Sequence, residues 1–230
     1  MSRIILIETS TALCSTALAE DGKIIVYKES ETPRSQAAMT APFIKEMLDG
    51  QGLSVRDCDA VCVSMGPGSY TGLRVGVSTA KGLCFGAGIP LIAVGTLDTL
   101  VWQAHDEGLL PSGCTAVVPM IDARRMEVYA AVFTPEGKQL TETRPQIVGP
   151  DSFTAQLEEG PVLFVGDGAM KCKDVIGHPN AHFVQCFPKA SAMLTPAERD
   201  YNEKRFKDIA YFEPFYLKQF VATVSSKKLF

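Results

Sequence analysis

The run SMGPGSYTGLRVGVSTAKGLCFG, residues 64–86, joins the apolar strand Ala60–Val63 to a long helix. The turn between them is built from Gly66, Pro67, Gly68, Ser69, Thr71 and Gly72. A glycine-rich strand-to-helix turn leaves backbone N–H groups uncovered at a helix N-terminus, where the dipole favours an anion. Ser69 and Thr71 can cap the helix or offer hydroxyls to a phosphate. The Gly-Lys-Ser/Thr ending of a Walker A loop is missing. So is the ribose-binding acid that accompanies GxGxxG in a dinucleotide fold. The turn therefore reads either as an anion site or as a packing turn.

Around this turn the composition is that of a globular protein: 230 residues, 46% apolar and 21% charged. One large or two small domains fit that length, with a sizeable core. A net charge of −4 argues against a free-standing nucleic-acid binder. Basic residues cluster only at Arg124–Arg125, Lys171/Lys173 and Lys227–Lys228. Seven cysteines, odd in number and without a C-x-x-C pair, predict free thiols in a reducing, cytoplasmic setting. No apolar run is long enough to span a membrane, and the N-terminal apolar run is too short for a signal peptide, so no membrane partner is expected.

The order of elements is legible. Ile4–Ile7, apolar without alternation, predicts a strand buried on both faces. Residues 13–19 and 23–28 are two further strands around an Asp21–Gly22 hairpin signal. A helix at 36–48, the strand at 60–64, the helix at 70–86, a strand at 90–94 and a helix at 96–106 complete a βββαβαβα series. After Pro111 the pattern repeats more faintly. A strand at 115–121 ends in Asp122 as the first ends in Glu8; strands at 127–134 and 138–148 follow, then one at 162–165 with the turn Gly166-Asp167-Gly168. A helix is expected at about 196–207, and 170–210 is otherwise the least readable stretch. We read a divergent duplication: an α/β, two-lobe actin-like ATPase (ASKHA, ribonuclease H-like) fold of duplicated βββαβα units, with lobes 1–110 and 111–230. In that architecture Glu8, Ser10, Gly66, Gly68, Ser69, Thr71, Asp122, Gly166 and Gly168 would line a nucleotide cleft.

Three motifs in register give a resemblance. Ile-Glu-Thr-Ser at 7–10, Gly-Pro-Gly-Ser-Tyr-Thr-Gly-Leu-Arg-Val-Gly at 66–76, and Ile-Asp-Ala-Arg at 121–124 followed by Glu-Val-Tyr at 127–129 closely resemble the TsaB (YeaZ) family. The likeness runs along nearly the whole chain and is strongest over 1–134. It implies an accessory, dimerising subunit of the bacterial machinery that makes N6-threonylcarbamoyladenosine in tRNA. In that machinery the paralogue TsaD carries the active site and the ATPase TsaE joins the complex. The implied partners are a TsaD-like subunit, a TsaE-like ATPase, a second copy when TsaD is absent, and tRNA only through the complex.

The residues bear on how much chemistry that implies. The metal-binding His-x-x-x-His pair of the catalytic paralogue falls on Thr96 and Leu100, neither of which supplies an imidazole. His178 and His182 have the spacing, but Pro179 lies between them and the context differs. No Ser or Cys occupies a nucleophile elbow. Glu8 stands where many family members have Asp, and its extra methylene moves a carboxylate by over about 1 Å, which matters for Mg²⁺ geometry. No catalytic residue, required cofactor or metal is therefore expected; weak ADP or ATP binding is compatible with the glycine turns. An independent ATP-dependent phosphotransferase using Glu8 and Asp122, and a protease, are the alternatives.

An interaction role has its own signal. On the helix at 36–48, Ala37, Ala41, Ile44 and Leu48 form one apolar stripe and Met39, Phe43 and Met47 a second, together spanning roughly 200° against the roughly 100° one core requires. The second stripe is expected to face a partner. The next helix carries only Arg74 and Lys81 as charges, and its ridge Gly72, Gly76, Ala80 and Leu83 permits close helix contact. In the family these two helices build a four-helix interface.

Overall fold

The computed structural model describes residues 2–32 and 35–217; the Lys227–Lys228 pair lies outside the described residues. The first lobe is β1 (Arg3–Glu8), β2 (Cys14–Glu20), β3 (Lys23–Ser30), α1 (Gln36–Gly50), β4 (Ala60–Gly66), α2 (Tyr70–Ala87), β5 (Leu91–Gly95) and α3 (Thr96–Asp106). The second is β6 (Ala116–Asp122), β7 (Glu127–Ala130), β8 (Arg144–Ile147), α4 (Thr154–Glu159), β9 (Val162–Val165) and β10 (Ala181–Val184), followed by α5 (Leu194–Asn202).

The duplication is present in the sheets themselves. Sheet order is β3-β2-β1-β4-β5 in one lobe and β8-β7-β6-β9-β10 in the other. In each, the first three strands are antiparallel neighbours and the last two run parallel to the first. β1 is buried on both faces, as its unbroken apolar run requires. Ile5 and Ile7 pack under α1 and α2, while Ile4 and Leu6 pack under residues 190–197.

Helices cover the two sheets unequally. α2 is capped by Ser69, whose side chain accepts from the Gly72 N–H, and ends at Gly88 with φ 72°, where the Gly88 N–H closes on the Cys84 carbonyl. Its counterpart in the second lobe is a single 3-10 turn at 170–172, and the counterpart of α1 is the six-residue α4. The lobes also exchange elements. Leu97, Leu100, Val101 and Ala104 of α3 pack on Val117, Ile121, Leu163 and Val165 of the second sheet. Conversely Ala190, Met193 and Ala197 lie on the first sheet.

Residues 207–217 return to the first lobe as well. The Lys207 N–H donates to the Leu91 carbonyl, Lys81 Nζ donates to the carbonyls of Ala210 and Phe212, and the Phe215 N–H donates to the Met65 carbonyl. The stretch 190–217, assigned from sequence to the second lobe, thus packs on the first.

The expected strand at 138–148 is regular only over Arg144–Ile147. β8 is a sheet edge, where Pro145 leaves no ladder donor missing that a neighbour would need. β10, in the stretch least readable from sequence, is likewise an edge strand of four residues. The helix expected at 196–207 runs 194–202, and Lys204 at φ 55° lies in the turn beyond it.

Burial corrects the helix-face assignment. Thr40, Phe43, Ile44, Met47 and Leu48 are the buried residues of α1, with Phe43 7% and Met47 1% exposed. Phe43 and Met47 are core residues rather than a partner-facing stripe, and Met39 is half-buried. Thr40 centres the buried arc because its hydroxyl donates to the Gln36 carbonyl one turn back, satisfying the polar atom inside the helix. Gly72, Gly76 and Ala80 are also buried. Only Leu83 of that ridge is partly exposed.

Candidate functional site

The glycine turn closes onto the exit of β1. A Cβ on Gly68 would lie 2.3 Å from the Ser10 carbonyl oxygen, one on Gly72 2.0 Å from the Thr9 carbonyl oxygen, and one on Gly76 2.3 Å from Thr9 Oγ1. The Ser69 N–H donates to the Ser10 carbonyl at 2.6 Å, and Thr9 Oγ1 donates to the Gly72 carbonyl at 2.8 Å. Gly68 and Gly72 are needed because backbone meets backbone there, and Gly76 because the Thr9 side chain fills the space a Cβ would take. Gly66, at φ 108°, lies against the Phe215 carbonyl, 3.0 Å from its would-be Cβ. The 66–72 loop is thus a packing turn under a C-terminal strap, with Thr71 exposed beside it.

Glu8, at the end of β1, is fully buried. Its Oε1 accepts from the Ser10 N–H at 2.6 Å and from Ser64 Oγ at 3.0 Å, while Oε2 and Ser10 Oγ have no partner among the described residues. Burial pushes the Glu8 carboxyl up to about 7, against the opposing pull of the Ser10 and Ser64 hydrogen bonds. The same enclosure that raises the carboxyl keeps it out of reach of solvent.

Asp122, the matching acid of the second lobe, is exposed but already neutralised. Its Oδ1 takes Lys171 Nζ and the Arg124 N–H. Asp167 Oδ1 accepts from the Asp122 N–H at 2.9 Å, and burial raises Asp167 to about 6. Gly168 packs on Asp122 and Ile121, and Gly166 at φ 128° packs on the Met120 carbonyl and Leu100. The candidate residues are therefore brought together as two half-sites. One is sealed and the other is occupied by an internal ammonium, so the donor set does not fit a metal–nucleotide centre.

Thr96 and Leu100, the positions that the resemblance aligns with the paralogue's metal ligands, are both fully buried, and neither is an imidazole. Among the described residues no histidine base is seen paired with a serine or cysteine nucleophile. His105 Nε2 lies at the Pro135 carbonyl, and His178 Nδ1 accepts from the Asn180 N–H. Burial pushes the thiols up, Cys58 and Cys84 to about 11 and Cys186 to about 12, away from the reactive thiolate.

The outer faces of α1 and α2 are the other accumulation of unusual residues. Ala37, Ala38, Ala41 and Pro42 are exposed on α1, and Ser78, Gly82, Phe85 and Gly86 on α2. Phe85 is 84% exposed. Between the helices runs a groove of about 280 Å³, floored by Ile44, Leu48, Leu53 and Leu83. No helix among the described residues is long and apolar enough to cross a membrane. Sequence reading missed Lys171 as the partner of Asp122, and it missed the strap; neither contact is local in sequence.

The chain matches, over residues 30–224, a family model described as TsaD, tRNA N6-adenosine threonylcarbamoyltransferase. It is 31% identical to the tRNA threonylcarbamoyladenosine biosynthesis protein TsaB of Escherichia coli K12, over 96% of each chain. It is 30% identical to the Haemophilus influenzae protein of the same name, over 98% of this chain and 96% of that one. Among solved structures it is similar to YeaZ from Pseudomonas aeruginosa, with TM-score 0.80, 26% identity and coverage of 94% and 100%.

Proposed function

Because the chain belongs to the TsaB (YeaZ) family, we propose that it serves tRNA threonylcarbamoyladenosine biosynthesis as a non-catalytic scaffold. Its working surface is the outer face of α1 and α2, which docks a TsaD-like catalytic subunit. The observation that carries this is Phe85, 84% exposed on a helix face whose neighbours Ser78, Gly82 and Gly86 are small enough for a partner helix to approach closely. Burying one Phe contributes about 1.5–3 kcal/mol.

The unfinished half-sites support the assignment of chemistry to the partner. Glu8 is sealed from solvent, Lys171 holds Asp122, and no imidazole stands at 96 or 100. The scaffold needs no cofactor of its own under this reading. A TsaE-like ATPase joins the same complex, tRNA is held through it, and the free chain pairs with a second copy when the catalytic subunit is absent. A cytoplasmic location accords with seven unpaired cysteines.

Co-elution with the TsaD-like subunit of the same organism, followed by light scattering, tests the docking face. Phe85→Glu should abolish the complex and leave the melting temperature of the free chain within a few degrees. Phe43→Glu should instead unfold the lobe, because its carboxylate would enter the core. Undiminished complex formation by Phe85→Glu refutes the placement. ATP turnover by the free chain that is lost in Asp122→Asn would revive the phosphotransferase reading.

A further inference from the structure

We infer that the hairpin joining β6 to β7 is a second protein-docking element, built to present Arg124 and Arg125 to a pair of carboxylates on an acidic partner surface. Both arginines are exposed, and both hold left-handed backbone, with φ 69° and 48°. Glycine and asparagine take that conformation readily; long side chains do so at a cost. Neither guanidinium has an ion pair or a side-chain hydrogen bond among the described residues. Two strained, unpaired, adjacent forks are a poor arrangement for stability alone, and local strain of this kind collects where a segment contacts something else.

The hairpin is also held in place before any partner arrives. Lys171 Nζ donates to the Arg125 carbonyl at 2.8 Å, to the Glu127 carbonyl at 2.7 Å and to Asp122. The Arg124 N–H donates to Asp122 Oδ1 at 2.9 Å, and the Ala123 N–H to the Glu127 carbonyl at 3.1 Å. The lysine and aspartate that close the second half-site thus become the staple of the hairpin.

The surroundings choose between a protein and an RNA. Met126, Ile147 and Met170 are exposed beside the hairpin, Ile147 through its pairing with Glu127 and Met170 through its neighbour Lys171. Arginine set among exposed methionine and aliphatic side chains is the composition of a protein interface. The chain carries a net charge of −4, which disfavours a polyanion as the partner. Arg forks bind carboxylates in two-pronged fashion, which fits a pair of acids on a protein surface.

This inference rests on the proposed assembly only for its choice of partners. The double variant Arg124→Asn/Arg125→Gly removes both charges and supplies residues that accept positive φ. It should raise the Tm of the free chain by about 2–4 °C. Purified TsaD-like subunit, TsaE-like ATPase and unmodified tRNA are then titrated separately against wild type and variant at two salt concentrations. One of the two proteins should bind the variant at least about tenfold more weakly with a flattened salt dependence, and tRNA affinity should not change. The inference is overturned if both proteins bind the variant as they bind wild type, or if tRNA is the ligand lost. Retained binding by the hairpin variant beside lost binding by Phe85→Glu would sink this element and leave the α1–α2 face standing.

Discussion

Replacing Glu8 by Gln should change how stability depends on pH, and the size of the change follows from the burial of that carboxyl. Glu8 is fully enclosed and its carboxyl is raised from 4.5 to about 7. Below pH 4.5 the side chain is protonated in folded and unfolded chains alike and carries no penalty. As pH rises through 7 the unfolded chain is ionised and the folded one resists, so stability is lost over that interval and then levels off. At about 1.4 kcal/mol for each pH unit between the two midpoints, the loss totals about 3 kcal/mol, most of it between pH 5 and pH 8. Gln cannot ionise and keeps an oxygen to accept from the Ser10 N–H and Ser64 Oγ. Urea unfolding of both proteins across that range, read by fluorescence of Trp102, measures the difference directly. Other raised carboxyls such as Asp167 are common to both and cancel. The stability of Glu8→Gln relative to wild type should rise by about 2–3 kcal/mol from pH 5 to pH 8. Parallel profiles would show that Glu8 is solvated in solution, and the sealed half-site would be wrong.

The remaining tests concern packing. Gly72→Ala places a Cβ 2.0 Å from the Thr9 carbonyl oxygen, and backbone at a strand exit cannot rotate aside; a loss above about 2 kcal/mol is expected by thermal unfolding. Gly82→Ala meets nothing within 4 Å and should stabilise the free chain by up to about 1 kcal/mol through helix propensity. Lys81→Met removes the donor to the carbonyls of Ala210 and Phe212. Limited proteolysis within 208–217 should accelerate, reflecting local opening made easier by about 2 kcal/mol, with little change in the global transition. Unchanged cleavage would mean that the strap is held instead by the Phe215 N–H on the Met65 carbonyl and by Tyr216, whose ring lies 4.6 Å from that of Tyr70.

Most of the fold was readable because its signals are local. Unbroken apolar strands, the Asp21–Gly22 hairpin and the Ser69 cap each act within a few residues. The duplication was readable from the repeated series of elements, with Glu8 and Asp122 ending the first strand of each. Two kinds of feature were not readable. The two apolar stripes of α1 could not be told apart from sequence, because the buried arc is centred on Thr40, whose hydroxyl is satisfied within its own helix. Ala37 and Ala41 then passed for core and Phe43 and Met47 for surface. The chemistry of the half-sites depends on Lys171 reaching Asp122 across 49 residues, and on Phe215 reaching Met65 across the chain. Spacing in sequence carries no trace of either contact. The glycines of 66–72 were legible as glycines, yet a phosphate cradle and a packing turn call for the same residue, and only the nearness of Thr9 and Ser10 separates them.

The inequality of the two lobes follows from what each sheet must cover. Both sheets bury two faces, so each needs helices on two sides. The exchange of α3 and residues 190–202 supplies one side of each. On the remaining side the first sheet has α1 and α2, 15 and 18 residues long, while the second has α4 and a 3-10 turn. A short cover suffices for the second because Phe153, Phe164 and Phe183 fill that space, with Phe164 and Phe183 stacked at 4.9 Å. Two long helices exceed what five short strands need from them, and their outward residues have nothing inside the lobe left to cover. Had that surplus been neutral in function, a charged outer face would serve solubility better than Ala37, Ala41, Gly82 and an exposed Phe85. These small and apolar residues sit on the one helical layer long enough to meet another helix pair along its length. The apolar surplus on the first lobe is thus a consequence of how long its helical cover is, and the proposed docking of a catalytic subunit is the use that fits it.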